Sequence, residues 1–352
     1  MQRDDIQSLT GLRGIAAWWV VIYHFRDPIA PYINSFIFGV IERGYLAVDL
    51  FFILSGFVIY LNYSKDFEVL TRDNLKKFFI KRFARIYPLH ISMLLIFLLN
   101  PLAIFLFSHA SSYDGRYELG YYILSIFLVQ NWGFTHALMW NIPAWSISTE
   151  MAAYITFPLA SWFINKLKMR NAFTGFALFL FVIVCIVIVF SALGIRSLED
   201  NIPEMGLIRC LLEFNLGMIL CRIYRDHHLI VIKNSWLFMI GFISVMVIGY
   251  TTDLPDYVFV PISYSFLLLA CINARILPSR FFGSAAIVYI GNISYSTYLV
   301  HYFIKDWVKF LSDEMGMIQF IIYVTVTALC SVLLYRKIED PGRHVITWWA
   351  LR

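Results

Sequence analysis

The chain has 352 residues, 60% of them hydrophobic and 14% charged, with a mean hydropathy of +0.71 and a formal net charge of +5. Those values exclude a soluble globular domain, which at this length needs far more polar surface, and a surplus of five positive charges is no nucleic-acid signature. They fit a polytopic helical membrane protein, because helices satisfy their own backbone hydrogen bonds in lipid.

Apolar runs long enough to cross a bilayer predict spans near 10–28, 45–63, 86–107, 143–164, 172–193, 205–223, 235–251, 257–273, 284–303 and 316–334. The first run leads into Arg26-Asp27-Pro28 with no small-residue cleavage pattern, so it is not read as a signal peptide. With the N-terminus inside, most of the 28 lysines and arginines fall in segments on that same side, above all between Lys65 and Arg85. The positive-inside rule then sets both termini in the cytoplasm of a multi-pass inner (plasma) membrane protein. The segment 120–135, "GYYILSIFLVQNWGFT", would reverse every later basic loop if it crossed, and is expected to be a re-entrant or partial helix on the outer side. The expected fold is therefore all-α, with about ten transmembrane helices plus that partial helix, in one membrane-embedded domain over residues 1–352. The loop from Ser64 to Arg85 reads as amphipathic and basic, and no internal repeat is visible. Cys185, Cys210, Cys221, Cys271 and Cys330 lie in or beside apolar runs, with no metal spacing and no disulfide framework.

Polar groups inside the spans carry the functional signal, since an ionisable side chain there is expensive and usually faces a protein-lined or aqueous path. In "LTGLRGIAAWWVVIYHF", Arg13 and His24 are eleven residues apart. That is roughly 20° past three full turns and about 16 Å along the axis, so they share one helix face. Asp49 falls near the outer end of the second span, either as an interfacial residue or as a group orienting His24; Ser55-Gly56 permits close helix approach. In "KKFFIKRFARIYPLH", Arg82 and Arg85 share a face beside Lys76, Lys77 and Lys81, and Pro88 is expected to mark the helix start. This cluster suits either acidic lipid headgroups or a polyphosphate. In "NIPAWSISTEMAAYITFPL", Ser146, Glu150 and Tyr154 repeat every four residues beside Trp145. Glu150 is expected in the outer half at the depth of His24, as an acid–base partner or as a structural contact. In "GNISYSTYLVHYF", Ser294, Thr297 or Tyr298, and His301 lie roughly along one face, and His301 suits either packing or acceptor binding. In "IEDPGRH", Glu339 and Asp340 are expected to balance Arg336, Lys337 and Arg343.

Taken together, Arg13 and His24, "FFILSGF", Arg82-x-x-Arg85, "WSISTEMAAY", "GNISYSTYLVH" and the terminal "EDP" resemble the acyltransferase-3 family of integral-membrane acyltransferases over nearly the whole chain. The resemblance implies transfer of an acyl group, acetyl by default, from cytosolic acyl-CoA to a hydroxyl of a cell-surface polysaccharide or glycolipid. It makes His24 the leading catalytic candidate and assigns Arg82 and Arg85 to donor handling. Many relatives have a second acidic residue and Gln-Phe-Tyr after the glutamate; here Met151-Ala152-Ala153-Tyr154 follows, so acceptor contacts are expected to differ.

The expected arrangement has the acyl-CoA phosphates on Arg82 and Arg85, Arg13 at the tunnel mouth, and the pantetheine arm along the Arg13/His24 face. Glu150 and Asp49 support His24, while Trp145, Ser146, Tyr154, Tyr298 and His301 bind or support the acceptor. Both a covalent acyl-imidazole and direct transfer are compatible with these residues. Expected partners are membrane lipids, the acyl-CoA donor and the saccharide acceptor, with no nucleic acid, no bound cofactor and no metal. The competing readings are a carrier or flippase for acyl groups or lipid-linked sugars, an acyltransferase for a small hydrophobic natural product, and an inactive partner subunit.

Overall fold

The computed structural model describes residues 6–107, 115–167, 172–273, 276–312 and 314–352. No strand occurs among them. The helices are α1 (Gln7–His24), α2 (Ser35–Glu42), α3 (Ala47–Tyr63), α4 (Arg72–Ile96), α5 (Leu99–Phe107), α6 (Leu119–Ile126), α7 (Trp145–Lys166), α8 (Ala172–Ala192) and α9 (Ile202–Asp226). They continue as α10 (His228–Lys233), α11 (Ser235–Thr251), α12 (Asp256–Cys271), α13 (Leu277–Phe282), α14 (Ala285–Asn292), α15 (Ser294–Phe310), α16 (Met317–Leu334) and α17 (Asp340–Ala350).

Among the described residues four helical stretches are long and apolar enough to cross a membrane: Ser35–Phe67, Arg72–Phe107, Phe173–Ala192 and Met317–Ala350, with mean hydropathies of 2.0, 2.2, 3.1 and 2.2 over an 18-residue window. The last is only 17% buried within the protein. Side chains such as Ile318, Ile321, Leu329 and Leu333 are left for a non-aqueous surrounding. This is a membrane protein.

Several predicted boundaries shift. The basic segment read as a loop is largely the first half of α4, which starts at Arg72 because the Thr71 hydroxyl accepts from the Asn74 amide at 3.3 Å. Pro88 consequently sits inside α4 rather than at a helix start, and α17 packs over it at Gly342. The predicted span 86–107 is the second half of α4 plus α5, and the span 284–303 is α14 plus the start of α15, broken at Ile293.

The segment 120–135, expected to be re-entrant or partial, is helical only as far as Ile126. Helix α6 has eight residues, about 12 Å, against a bilayer core of about 30 Å. The chain then folds back irregularly, with Leu128 and Trp140 at φ of 59° and 56°. Backbone of this kind survives inside a membrane bundle only where protein groups satisfy it. Ser148 Oγ donates to the Leu128 carbonyl at 2.9 Å, Gln130 Nε2 to Ala144 at 3.2 Å, and Asn141 Nδ2 to Leu299 at 3.0 Å. The start of α7 is thereby sunk among buried residues, Trp145 through Thr149 all being enclosed.

Two near-backbone contacts fix the frame. Helices α3 and α9 cross so closely that a Cβ on Gly56 would meet the Phe214 carbonyl oxygen at 1.9 Å, and one on Gly217 would meet that of Ile53 at 1.9 Å. Helix α1 lies against α14 in the same manner, Gly291 abutting the Thr10 carbonyl. Helix α15 runs beside α1 along its further half.

Candidate active site

The shared face of α1 is directed at α14 and α15. Arg13 Nε donates to Ser294 Oγ at 3.0 Å and Nη2 to the Gly291 carbonyl at 2.9 Å. Further along, His24 Nδ1 lies 3.2 Å from His301 Nε2 and 3.0 Å from the Val20 carbonyl. A carbonyl only accepts, so a bond to Val20 puts the hydrogen on Nδ1 and leaves the lone pair on Nε2. Tyr302 stands edge-on to the His24 ring, centroids 5.4 Å apart.

A cavity of about 560 Å³ opens at the basic end of the bundle, lined by Arg13, Lys81, Arg82, Arg85, Arg343 and His344 among others. A second space of about 150 Å³ shares Arg13, Arg82 and Arg85 with it and continues inward past Ser55, Glu150, Tyr154, Ser146, Ser294 and Tyr298. Two predicted groups of residues, from α1 and α4 and from α7 and α15, therefore meet around one continuous hollow. Neither His24 nor His301 is in its wall. Tyr298 intervenes: its hydroxyl is 2.8 Å from Ser146 Oγ, Phe51 packs against its ring at 5.7 Å, and the His301 ring lies 5.8 Å beyond. The expected groove along α1 is thus present on its Arg13 half and closed by one aromatic layer before His24.

Neither carboxylate pairs with His24, and Glu150 takes the structural contact that the sequence also allowed. Glu150 accepts from Ser55 Oγ at 2.5 Å and from Tyr154 at 2.6 Å, facing the arginine-lined hollow rather than His24. Asp49 is fully buried and held bidentately by Arg209 at 2.7 and 2.6 Å, so it does not orient His24 either. The imidazole's ring neighbour is instead His301.

Among the arginines, Arg82 donates to the Tyr63 hydroxyl at 3.2 Å and lies over the Tyr63 and Tyr154 rings. Arg85 is paired with Glu339, whose other oxygen accepts from Ser296 at 2.6 Å. Glu339 is 1% exposed and lies behind Arg85, outside the cavity wall. The expectation that it merely balances nearby basic residues fails, because the π-helical turn Tyr335–Glu339 rotates it inward toward α4. Asp340 does pair locally, with Arg343 at 2.5 Å. Trp145 packs against Phe52, with the Arg209 guanidinium over its ring. Sequence reasoning missed Arg209 and the role of Glu339. A lone arginine in an apolar run was the available signal for the first.

A family model described as an acyltransferase domain matches residues 6–336. The chain belongs to the acyltransferase-3 family of integral-membrane acyltransferases. Among curated relatives, this acyltransferase is 28% identical to acyltransferase MdmB of Streptomyces mycarofaciens, covering 97% of this chain and 92% of that protein. It is 24% identical to the O-acetyltransferase OatA of Staphylococcus aureus over 96% of this chain, and spans 57% of that longer protein. No solved structure matches it significantly. The acyltransferase thus combines a cation-lined hollow, a carboxylate held by two hydroxyls, and an imidazole pair beyond a single tyrosine.

Proposed function

We propose that this acyltransferase moves an acyl group, acetyl by preference, from cytosolic acyl-CoA to a hydroxyl of a cell-surface polysaccharide or glycolipid, with His24 as the group that handles the proton. One observation carries the reading: the hollow bounded by Arg13, Arg82 and Arg85 narrows toward Ser146 and Tyr298 and points at the His24–His301 pair. The wide basic chamber suits a nucleotide carrying phosphates, which stay at the mouth and never enter low dielectric. The narrow extension, rich in Tyr, Phe and Ser, suits a thin uncharged arm. Acetyl is favoured because OatA is named an O-acetyltransferase. In this reading the basic end faces the cytoplasm, the chain crosses the inner membrane ten times and both termini are cytoplasmic, in keeping with the positive-inside rule.

In the transfer, Tyr298 swings aside and the thioester carbonyl reaches His24. Nε2 removes the proton of the acceptor hydroxyl, whose oxygen attacks the carbonyl carbon. The C–S bond breaks, and the proton passes from the imidazolium to the departing CoA thiolate. The contact from Nδ1 to Val20 fixes the tautomer this requires. Arg82 is the freer donor-side cation, because Arg85 is committed to Glu339. Glu150, bonded to Ser55 and Tyr154, shapes the arm's channel and does not touch His24.

The test is purified protein in nanodiscs with radiolabelled acetyl-CoA and candidate acceptors. His24→Ala is expected to lower product formation by about 10²–10⁴-fold, the usual contribution of a positioned base. Full transfer by that variant would remove the scheme, and solute movement without covalent product would mark a carrier.

A further inference from the structure

A third cavity, of about 290 Å³, lies beyond His24 on the side away from the basic chamber, and no role in the scheme above draws on it. Its wall is formed by Asn100, Arg116, Tyr117, Asp306, Trp307 and Phe310, together with Ala103, Ile104 and Lys309. We infer that this cavity is the subsite that holds a sugar ring of the acceptor. The inference rests on the acyl-transfer reading for the purpose of the site, but its occupant follows from the wall itself.

Two kinds of group converge there. Tyr117, Trp307 and Phe310 offer aromatic surface, the kind that packs on the C–H faces of a pyranose. A linked polar array shares the wall with them and includes Trp307 itself. Trp307 Nε1 donates to Asn100 Oδ1 at 2.9 Å, Asn100 Nδ2 to Asp306 Oδ2 at 3.2 Å, and Arg116 Nη2 to the same oxygen at 2.5 Å. Among the described residues, Asp306 Oδ1 has only Lys305 at 3.9 Å, beyond hydrogen-bond range, and Arg116 Nε is buried without a hydrogen-bond partner. The two members of this ion pair thus keep an acceptor oxygen and a donor N–H uncommitted among the described residues, in a wall that also carries aromatic side chains. Adjacent hydroxyls of a sugar, each able to donate and accept, match that pair. A lipid tail would leave both unsatisfied, and an isolated phosphate would face the Asp306 carboxylate.

The location fits an acceptor. Arg116 lies 5.2 Å from the centroid of Tyr302, and His24 stands at the edge of the same ring, 5.4 Å away. Lys305 Nζ lies 3.2 Å from that centroid. Arg116 in the cavity wall and the Tyr302 ring behind it therefore stand between the proposed sugar subsite and the imidazole, so a glycan seated there presents a hydroxyl to His24 once the Tyr302 ring moves aside.

The test measures binding apart from transfer. Chitobiose and a glucuronic-acid-containing disaccharide are titrated against the full chain in nanodiscs free of saccharide detergent, read by saturation-transfer NMR. Saturation transfer from the protein is expected for wild type and for His24→Ala. It is expected to fall at least about ten-fold in Asp306→Asn and Trp307→Ala, the loss that accompanies an unmet buried hydrogen bond or a missing stacking face. Trp307→Phe, which keeps the stacking face, is expected to retain most of it. Acetyl-CoA binding by the same variants confirms that they are folded. Equal saturation transfer in wild type and Asp306→Asn, or none in wild type, overturns the subsite. Saccharide binding that follows this pattern while no acyl transfer occurs would keep the subsite and reject the acyltransfer mechanism, so the two failures are distinguishable.

Discussion

Replacing either member of the Arg85–Glu339 pair should destabilise the protein, and unequally. Glu339 is 1% exposed, with Ser296 as its only other hydrogen-bond partner among the described residues, whereas the Arg85 side chain is 19% exposed and borders the 560 Å³ chamber. Arg85→Ala therefore leaves a carboxylate with no counter-charge and no route to water, and should cost about 3–5 kcal/mol, the range for an orphaned buried charge. Glu339→Ala leaves a guanidinium that solvates itself through the chamber, and should cost only about 1–2 kcal/mol, near that of one charge-assisted hydrogen bond. The double variant Arg85→Met with Glu339→Leu should fall close to wild type, because an apolar pair of similar volume often replaces a buried ion pair without loss. The assay is unfolding in micelles followed by Trp fluorescence, with the midpoints of the four proteins compared. Equal losses for the two alanine variants, or a larger loss for Glu339→Ala, would refute the claim that the chamber hydrates Arg85 but not its partner.

Arg82→Ala is expected to raise the KM for acyl-CoA by about 10–100-fold with little change in the acceptor's, corresponding to one lost charge-assisted contact; steady-state kinetics with each substrate varied decides it. Because that contact is ionic and exposed to the chamber, the donor KM of wild type should rise with salt while that of Arg82→Ala rises less. Gly217→Ala forces a methyl onto the Ile53 carbonyl and should destabilise the α3–α9 crossing by about 1–3 kcal/mol, seen as a lower unfolding midpoint. Tyr298→Trp enlarges the layer between hollow and imidazole and should abolish transfer while leaving acyl-CoA binding intact; unchanged turnover there would mean that the arm takes another path.

Local periodicity was the readable part of this molecule. The eleven-residue spacing of Arg13 and His24 is a property of any α-helix, and both side chains do meet α14 and α15. The short α6 was signalled by the basic loops that a full crossing would have inverted. Partner choice was not readable. Asp49 and Arg209 are 160 residues apart, Arg85 and Glu339 254, and no helical spacing rule reaches that far. That Glu150 faces the arginine-lined hollow and not His24 is equally unreadable from its own helix. The folded-back 119–144 segment buries the first turn of α7, and nothing in "NIPAWSISTE" states what will lie above it. Glu339 was assigned local partners for a similar reason: a single π turn reorients it, and such a turn has no pattern in "YRKIEDP".

The layer of Phe51, Ser146 and Tyr298 has an electrical consequence. In the proposed reading one substrate comes from each side of an energised membrane, which needs two vestibules, and two vestibules in contact would make a proton wire. The Tyr302 ring stands on the imidazole's other side, and the basic hollow is closed from the imidazole pair by the thickness of a phenol ring tethered to a serine. Whatever displaces that ring has to fill the gap as it does so, which ties permeability to substrate occupancy and lets the membrane hold its potential between turnovers.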